Sequence, residues 1–330
     1  MANSIEALLP FFIRPESTAA KYSFGDIPAK VSFEDCDVVI YGAPIDITTS
    51  FGRGTMRGPE AIRLTSARQT ETFLLDEMVN IYECARIYDI GDLKLPPSFA
   101  KNKTERNNLL TSKISYVGGI IHKITTLIHD ANKVPIMMGG EHTLTYFALK
   151  ALSSEKPLVL HFDAHRDMKP KYDGIRMCHT TPFYHIVNEG LVTGNNIIQI
   201  GIRQTDEEEN DTAIANSVKT FDAWEIHDSI DNLLKYIRKV TRNVEIYISF
   251  DIDVYDLPYV PCTGTPEPFG LNPFQVSEIV KSISTTAKLI GVDIVEVGLR
   301  NGDYREGTLA TQTLFRVLSR LIGSRDSVKP

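Results

Sequence analysis

LVLHFDAHRD, residues 158–167, decides the fold. Its first half is apolar without alternation, as a strand buried on both faces of a parallel sheet requires. Its second half is polar and ordered: Asp163, His165 and Asp167 stand at i, i+2 and i+4. On extended chain that spacing turns all three to one side. A buried strand that ends in acids and an imidazole predicts a parallel sheet with a ligand site beyond its carboxyl edge.

Working outward, similar runs stand at 37–43 (DVVIYGA), 84–90 (CARIYDI), 134–138 (VPIMM), 196–202 (NIIQIGI), 244–250 (VEIYISF) and 289–297 (LIGVDIVEV), with a weaker one at 217–221. The segments between them read as helices: 59–68, 105–130, 143–152, 181–189, 229–240, 273–287 and 305–322. The long one carries Leu109, Ile114, Val117, Ile121, Ile124, Leu127 and Ile128 at helical spacing. Pro59, Pro182 and Pro273 lie near helix starts, where a missing N–H costs little. Alternating strand and helix predicts a parallel α/β fold with helices on both sheet faces. No Pro/Ser-rich linker, repeat or low-complexity tract divides the chain. Residues 1–330 therefore read as a single three-layer α/β/α domain, with 1–35 an N-terminal extension packing on it.

Composition narrows the function. The chain has 330 residues, with 35 Lys+Arg against 42 Asp+Glu, a formal charge of −7. Nucleic acid and anionic membranes call for clustered cations, so neither is an expected partner. No run of about 20 apolar residues offers a membrane span. The opening MANSIEALLPFFIRPE lacks the basic start of a secretory signal. The four cysteines (Cys36, Cys84, Cys178, Cys262) are far apart and form no CxxC pair. They fit free thiols in a reducing cytoplasm.

The other strand ends are polar too: Gly42-Ala43-Pro44, Gly91-Asp92, Gly139-Gly140-Glu141-His142, Asp251-Ile252-Asp253 and Glu296. His142, Asp163, His165, Asp167, Asp251 and Asp253 thus form a set of four carboxylates and two imidazoles. Four carboxylates in one cleft repel one another unless cations are present. Six N/O donors exceed the needs of one tetrahedral zinc. They suit two divalent ions sharing carboxylates, and the absence of sulfur favours Mn²⁺ over zinc or copper. Ions about 3.5–4 Å apart can hold a bridging hydroxide. Gly52-Arg53-Gly54-Thr55-Met56-Arg57-Gly58 lacks the Gly-Lys-Ser/Thr of a phosphate loop and reads as a rim loop. Glu207-Glu208-Glu209 reads as a solvated patch. His161 reads as packing or as support for a ligand, with packing favoured, and His185 as structural.

GGEH at 139–142, DAHRD at 163–167, and SFDID at 249–253 followed by TGTPEP at 263–268 resemble the ureohydrolase family of arginases, agmatinases and guanidino-acid hydrolases. FGRGTMRGPEAIR at 51–63, IIQIGIR at 197–203 and DIVEV at 293–297 extend the resemblance over about residues 37–320. It implies an arginase-like sheet of about eight mainly parallel strands, two Mn²⁺ per subunit, release of urea from a guanidino compound, and homotrimers or homohexamers. By position, it implies one ion held by His142, Asp163, Asp167 and Asp251, and a second by Asp163, His165, Asp251 and Asp253. Asp163 and Asp251 would bridge. Asp167 would accept from the bridging hydroxide and pass a proton to the leaving amine. His179 matches a proton-shuttling histidine, and Glu296 the carboxylate that grips the guanidinium, a planar fork suited to it.

The 168–178 loop (MKPKYDGIRMC) and the TTPFYHIVNEGLV that follows His179 look like agmatinases. Agmatine hydrolysis to putrescine and urea is therefore the expected activity. Tyr172 and Asp173 are the expected acceptors for the tail's ammonium, and Arg300 the residue that would oppose it and suit 4-guanidinobutyrate. Thr180, Leu257, Cys262 and 298–302 depart from the family pattern near the substrate pocket. The alternatives are hydrolysis of another guanidino compound (4-guanidinobutyrate, guanidinopropionate or arginine), a single-zinc deacetylase on a related fold, and a binding protein without activity.

Overall fold

A computed structural model of the chain describes residues 5–26, 31–96, 99 and 107–323. Among these, the strands are Phe12–Ile13 (β1), Val38–Ala43 (β2), Phe73–Leu74 (β3), Val79–Asn80 (β4), Ile87–Leu93 (β5), Val134–Gly139 (β6), Leu158–Phe162 (β7), Ile197–Ile202 (β8), Lys219–Asp222 (β9), Glu245–Asp251 (β10) and Lys288–Val295 (β11). The helices are Gly58–Arg68 (α1), Ile81–Cys84 (α2), Asn107–Asp130 (α3), Thr145–Leu152 (α4), Pro182–Asn188 (α5), Glu207–Ala215 (α6), Ala223–Asp228 (α7), Asp231–Val240 (α8), Pro273–Ser282 (α9) and Arg305–Leu321 (α10).

Nine strands form one sheet in the order β1-β5-β2-β6-β11-β10-β7-β8-β9. Eight of them run parallel, each grown from one of the apolar runs. The ninth, β1, comes from the N-terminal segment and pairs antiparallel with β5 at the edge. Two residues between prolines carry no alternation signal, so β1 is invisible in the sequence. β3 and β4 make a separate antiparallel pair.

Helices cover both faces of the sheet. One face packs Ile62, Ile237, Ile279, Leu314 and Phe315, the other Ile114, Ile121, Leu149 and Phe183. In α3 the buried stripe runs Leu110, Ile114, Val117, Ile121, Ile124, Ile128. Leu109, counted in the stripe by spacing, is half exposed, and Leu110 takes its place. Pro59, Pro182 and Pro273 all sit in first helical turns.

Three local expectations shift. The 84–90 run starts three residues late, at Ile87, because Asn80 caps a short helix through Cys84. The 273–287 helix ends at Ser282. The Glu207–Glu209 patch is the first turn of α6, capped by the Asp206 side chain. Its Glu209 is buried and accepts from the Met168 N–H at 3.0 Å.

Candidate metal centre

The four central strands lie in the order β6-β11-β10-β7. Their carboxyl ends deliver His142, Glu296, Asp251 with Asp253, and Asp163 through Asp167. Residues far apart in sequence meet there because each strand is buried and ends at the same edge.

The route to convergence is not extended chain. β7 ends at Phe162, and Asp163 Oδ1 accepts from the His165 N–H at 2.6 Å, bending the chain. Asp167 has φ +53°, in the left-handed region. Asp251 Oδ1 accepts from the Asp253 N–H at 2.9 Å and starts a single helical turn. Glu296 also has a positive φ, +58°. Such a backbone in a non-glycine residue costs roughly 1–3 kcal/mol and persists only where its surroundings over-determine it. At Glu296 they do: its N–H donates to Gly140 O, and its Oε1 accepts from the His142 N–H, both at 2.8 Å.

All six residues meet. His142 Nδ1 lies 2.9 Å from Asp167 Oδ2, 3.0 Å from Asp163 Oδ2 and 3.3 Å from Asp251 Oδ2. His165 Nδ1 lies 3.0 Å from Asp253 Oδ2 and 3.5 Å from Asp163 Oδ1. The two oxygens of Asp163 therefore face two different histidines. His142 Nδ1 and Asp253 Oδ2 are buried without a hydrogen bond. Orphaned donor atoms of this kind fit ligation of an ion. Within the described residues, donor atoms of Asp163, His165 and Asp253 converge as one group, and those of His142, His161 and Asp163 as another.

The electrostatics agree. Burial, with the charges of Asp253 and Asp163, holds the Asp251 carboxyl well above the usual range. Burial and the charge of Asp163 push Asp167 to about 7. Burial would lower His142, but contacts with Asp163, Asp167 and Asp251 outweigh it and raise it well above its usual value. Asp163 goes the other way: against burial, His142, His161 and His165 hold it well below the usual range. A cluster that must hold protons to remain buried exchanges them for cations when these are offered.

A small cavity opens over this cluster, lined by Ser50, Tyr172, His179, Thr180, Thr265 and Glu296 besides His142, His165, Asp167, Asp251 and Asp253. His179 Nε2 is 3.1 Å from Ser50 Oγ, and its N–H donates to Thr48 Oγ1. Thr48 in turn donates to Glu141 Oε1 at 2.5 Å, and Glu141 is fully buried. Tyr172 reaches the cavity, but Asp173 and Arg300 do not. Asp173 is exposed. Arg300 donates from Nε to Arg53 O at 2.7 Å and from an Nη to Thr263 O at 3.1 Å, tying the rim loops together. A charged fork placed among free loop carbonyls binds them first. His161 is both packed and bonded: it stacks on Phe183 at 3.8 Å and lies 2.8 Å from Asp163 Oδ2.

A roomier groove, about 600 Å³, lies between α9 and α10. It is mainly apolar, and its charged Asp76, Glu278, Lys281 and Arg316 are paired among themselves. It gathers no cluster of metal-binding donor atoms among the described residues, so the smaller polar cavity is the candidate site.

The arginase family model matches residues 36–318. An agmatinase of Pyrococcus horikoshii is 32% identical over 89% of this chain and 93% of its own. The proclavaminate amidinohydrolase of Streptomyces clavuligerus is 33% identical over 79% of this chain and 80% of its own. The solved agmatine ureohydrolase of Thermoplasma volcanium superposes with a TM-score of 0.78 at 27% identity, covering 93% of this chain and 98% of that one. On the family match and these likenesses, carried through most of its length, the chain belongs to the arginase family and is an amidinohydrolase.

Proposed function

We propose that this enzyme hydrolyses agmatine to putrescine and urea at a pair of manganese ions. The observation that carries the reading is Asp163, whose two oxygens face His142 and His165 with Asp167, Asp251 and Asp253 around them. The sulfur-free N/O donors suit Mn²⁺. These six residues would hold two divalent ions, which would supply acidification of a water and charge stabilisation for its addition to the guanidinium carbon.

The chain's own groups do the rest. Glu296, anchored through Oε1 by the His142 N–H, offers its other oxygen to the guanidinium fork. That oxygen is next to Gly264, where a Cβ would come within 3.0 Å of it. Asp167, on the cavity wall beside His142, would take the proton that the water gives up as its oxygen adds to the guanidinium carbon and would give it to the leaving amine as the C–N bond breaks. His179, beside Ser50 on the cavity wall, moves protons between the cavity and solvent.

The tail favours agmatine. Among the described residues the cavity lining includes no Lys or Arg, and Arg300 is occupied by rim carbonyls. Away from the residues assigned to the ions and the guanidinium, the lining offers an anionic tail no cationic Lys or Arg partner, whereas an ammonium has the Tyr172 and Thr180 hydroxyls at hand. A second reading, another guanidino substrate, draws on the proclavaminate amidinohydrolase likeness. We place the enzyme in the cytoplasm as a homotrimer or homohexamer, in line with its free thiols and the family resemblance.

The test is urea release by the Mn²⁺-loaded protein from agmatine, 4-guanidinobutyrate, guanidinopropionate and arginine. A kcat/KM for agmatine at least tenfold above the others supports the reading. A tenfold advantage for 4-guanidinobutyrate overturns the substrate, and no urea from any compound overturns the reaction.

A further inference from the structure

Behind His142, on the ring edge opposite the carboxylates, lies a second buried network. His142 Nε2 is 3.0 Å from Ser249 Oγ. Ser249 donates its hydroxyl to Asp293 Oδ1 at 2.9 Å, and Tyr247 donates its own to Asp293 Oδ2 at 2.5 Å. Each of the four residues is at most 1% exposed. Ser249 and Asp293 are register partners across β10 and β11. The Tyr247 ring fits because Gly291 has no side chain: a Cβ there would come within 2.8 Å of the ring.

A carboxylate fully removed from water is expensive unless its hydrogen bonds are made. Here two hydroxyls make them, and this fixes the direction of the chain. The carboxylate only accepts, so the Ser249 hydrogen is committed to Asp293. Ser249 then offers His142 a lone pair and no hydrogen. The hydrogen between them must sit on His142 Nε2, which in the neutral ring leaves Nδ1 with its lone pair toward Asp163, Asp167 and Asp251.

We propose that Asp293 is a positioning residue: through Ser249 it keeps the His142 hydrogen on Nε2 and so makes Nδ1 the metal-binding atom. The proposal rests on the metal-centre reading above. Tyr247 holds the far carboxylate oxygen and does not touch the relay to His142. Partners behind ligating histidines typically change metal affinity 10- to 100-fold.

The test is Mn²⁺ affinity by chelator competition, with the ¹⁵N spectrum of the histidines in protein loaded with diamagnetic Zn²⁺. Wild type should show the His142 hydrogen on Nε2. In Asp293→Asn the new amide can donate to Ser249 and free its hydrogen for Nε2, so affinity should fall at least tenfold. Ser249→Ala should fall similarly, Ser249→Thr should recover most of the loss, and Tyr247→Phe should stay within about threefold. Ser249→Ala carries the test if the Asp293 variant does not fold. Unchanged affinity in Asp293→Asn and Ser249→Ala overturns the proposal, as does an equal loss in Tyr247→Phe, which would mean that any disturbance of the network suffices. A His142 hydrogen on Nδ1 in wild type overturns it too. The number of ions bound by wild type, read in the same titration, reports separately on the dinuclear reading.

Discussion

Glu296 Oε1 accepts the backbone N–H of His142 at 2.8 Å, locking the end of β11 to the end of β6. One carboxylate thus does two things. One oxygen fixes the loop that carries His142, a proposed metal ligand, and the other is the one proposed to meet the guanidinium.

Glu296→Gln separates the two. Its amide oxygen can still accept from His142, so metal content and melting temperature should stay near wild type. The charge facing the guanidinium is lost, and kcat/KM should fall about 100-fold, equivalent to roughly 3 kcal/mol. Steady-state kinetics beside metal analysis checks this. A large loss of bound metal would assign Glu296 to the scaffold alone.

Arg300→Ala should act on the rim and not on substrate choice. Its two carbonyl contacts hold the 52–54 and 263–264 loops together. Losing hydrogen bonds from a charged donor should cost about 1–3 kcal/mol of stability. KM should rise for agmatine and 4-guanidinobutyrate by similar factors. A change in the ratio of the two kcat/KM values would show that Arg300 reads the tail after all.

Glu209 holds the chain immediately after Asp167, accepting from the Met168 N–H and pairing with Lys169 at 3.2 Å. Glu209→Ala leaves that buried N–H without its carboxylate partner and should destabilise by about 1–3 kcal/mol. Denaturant unfolding measures it. Glu208→Ala, exposed in the same turn, is the control and should be near neutral.

Metal-free protein should lose stability as pH rises. Asp167 is raised from 3.8 to about 7 in the fold, so the folded state holds more protons than the unfolded chain between those values. That contribution is present below pH 4 and is lost as pH rises to 7. His142, also raised, has the same sign above its ordinary 6.5. The melting temperature without metal should therefore fall from these groups between pH 5 and 8, while the increase caused by added Mn²⁺ grows, because ions replace the protons. Thermal melts with and without Mn²⁺ across this range decide it. A metal-induced shift that shrinks with pH would contradict the cluster's electrostatics.

Much of this was legible in the sequence, and the exceptions have physical reasons. Apolar runs found all eight parallel strands, because a doubly buried strand has to be apolar on both faces. The polar strand ends found all six residues of the cluster. The period-two argument that grouped them was wrong in mechanism, since the chain bends at Asp163 and turns left-handed at Asp167. Asp222-Ala-Trp-Glu225 is a capping box that would have located α7, and Asp206 before three glutamates would have located α6. Asp293 inside an apolar run was a usable signal as well: a carboxylate on a buried strand has to find partners. The directions of Asp173 and Arg300 had no such signal, because spacing says nothing about which way a loop side chain turns.

As proposed, one carboxylate, Asp163, would be shared by two ions. This sharing is tested most directly by counting Mn²⁺ per chain in wild type and in Asp163→Asn, by elemental analysis on protein dialysed at fixed free Mn²⁺. The account predicts two ions in wild type and fewer than one in the variant, because both sites lose a shared charge. Two ions retained in Asp163→Asn, or a single ion in saturated wild type, would contradict it.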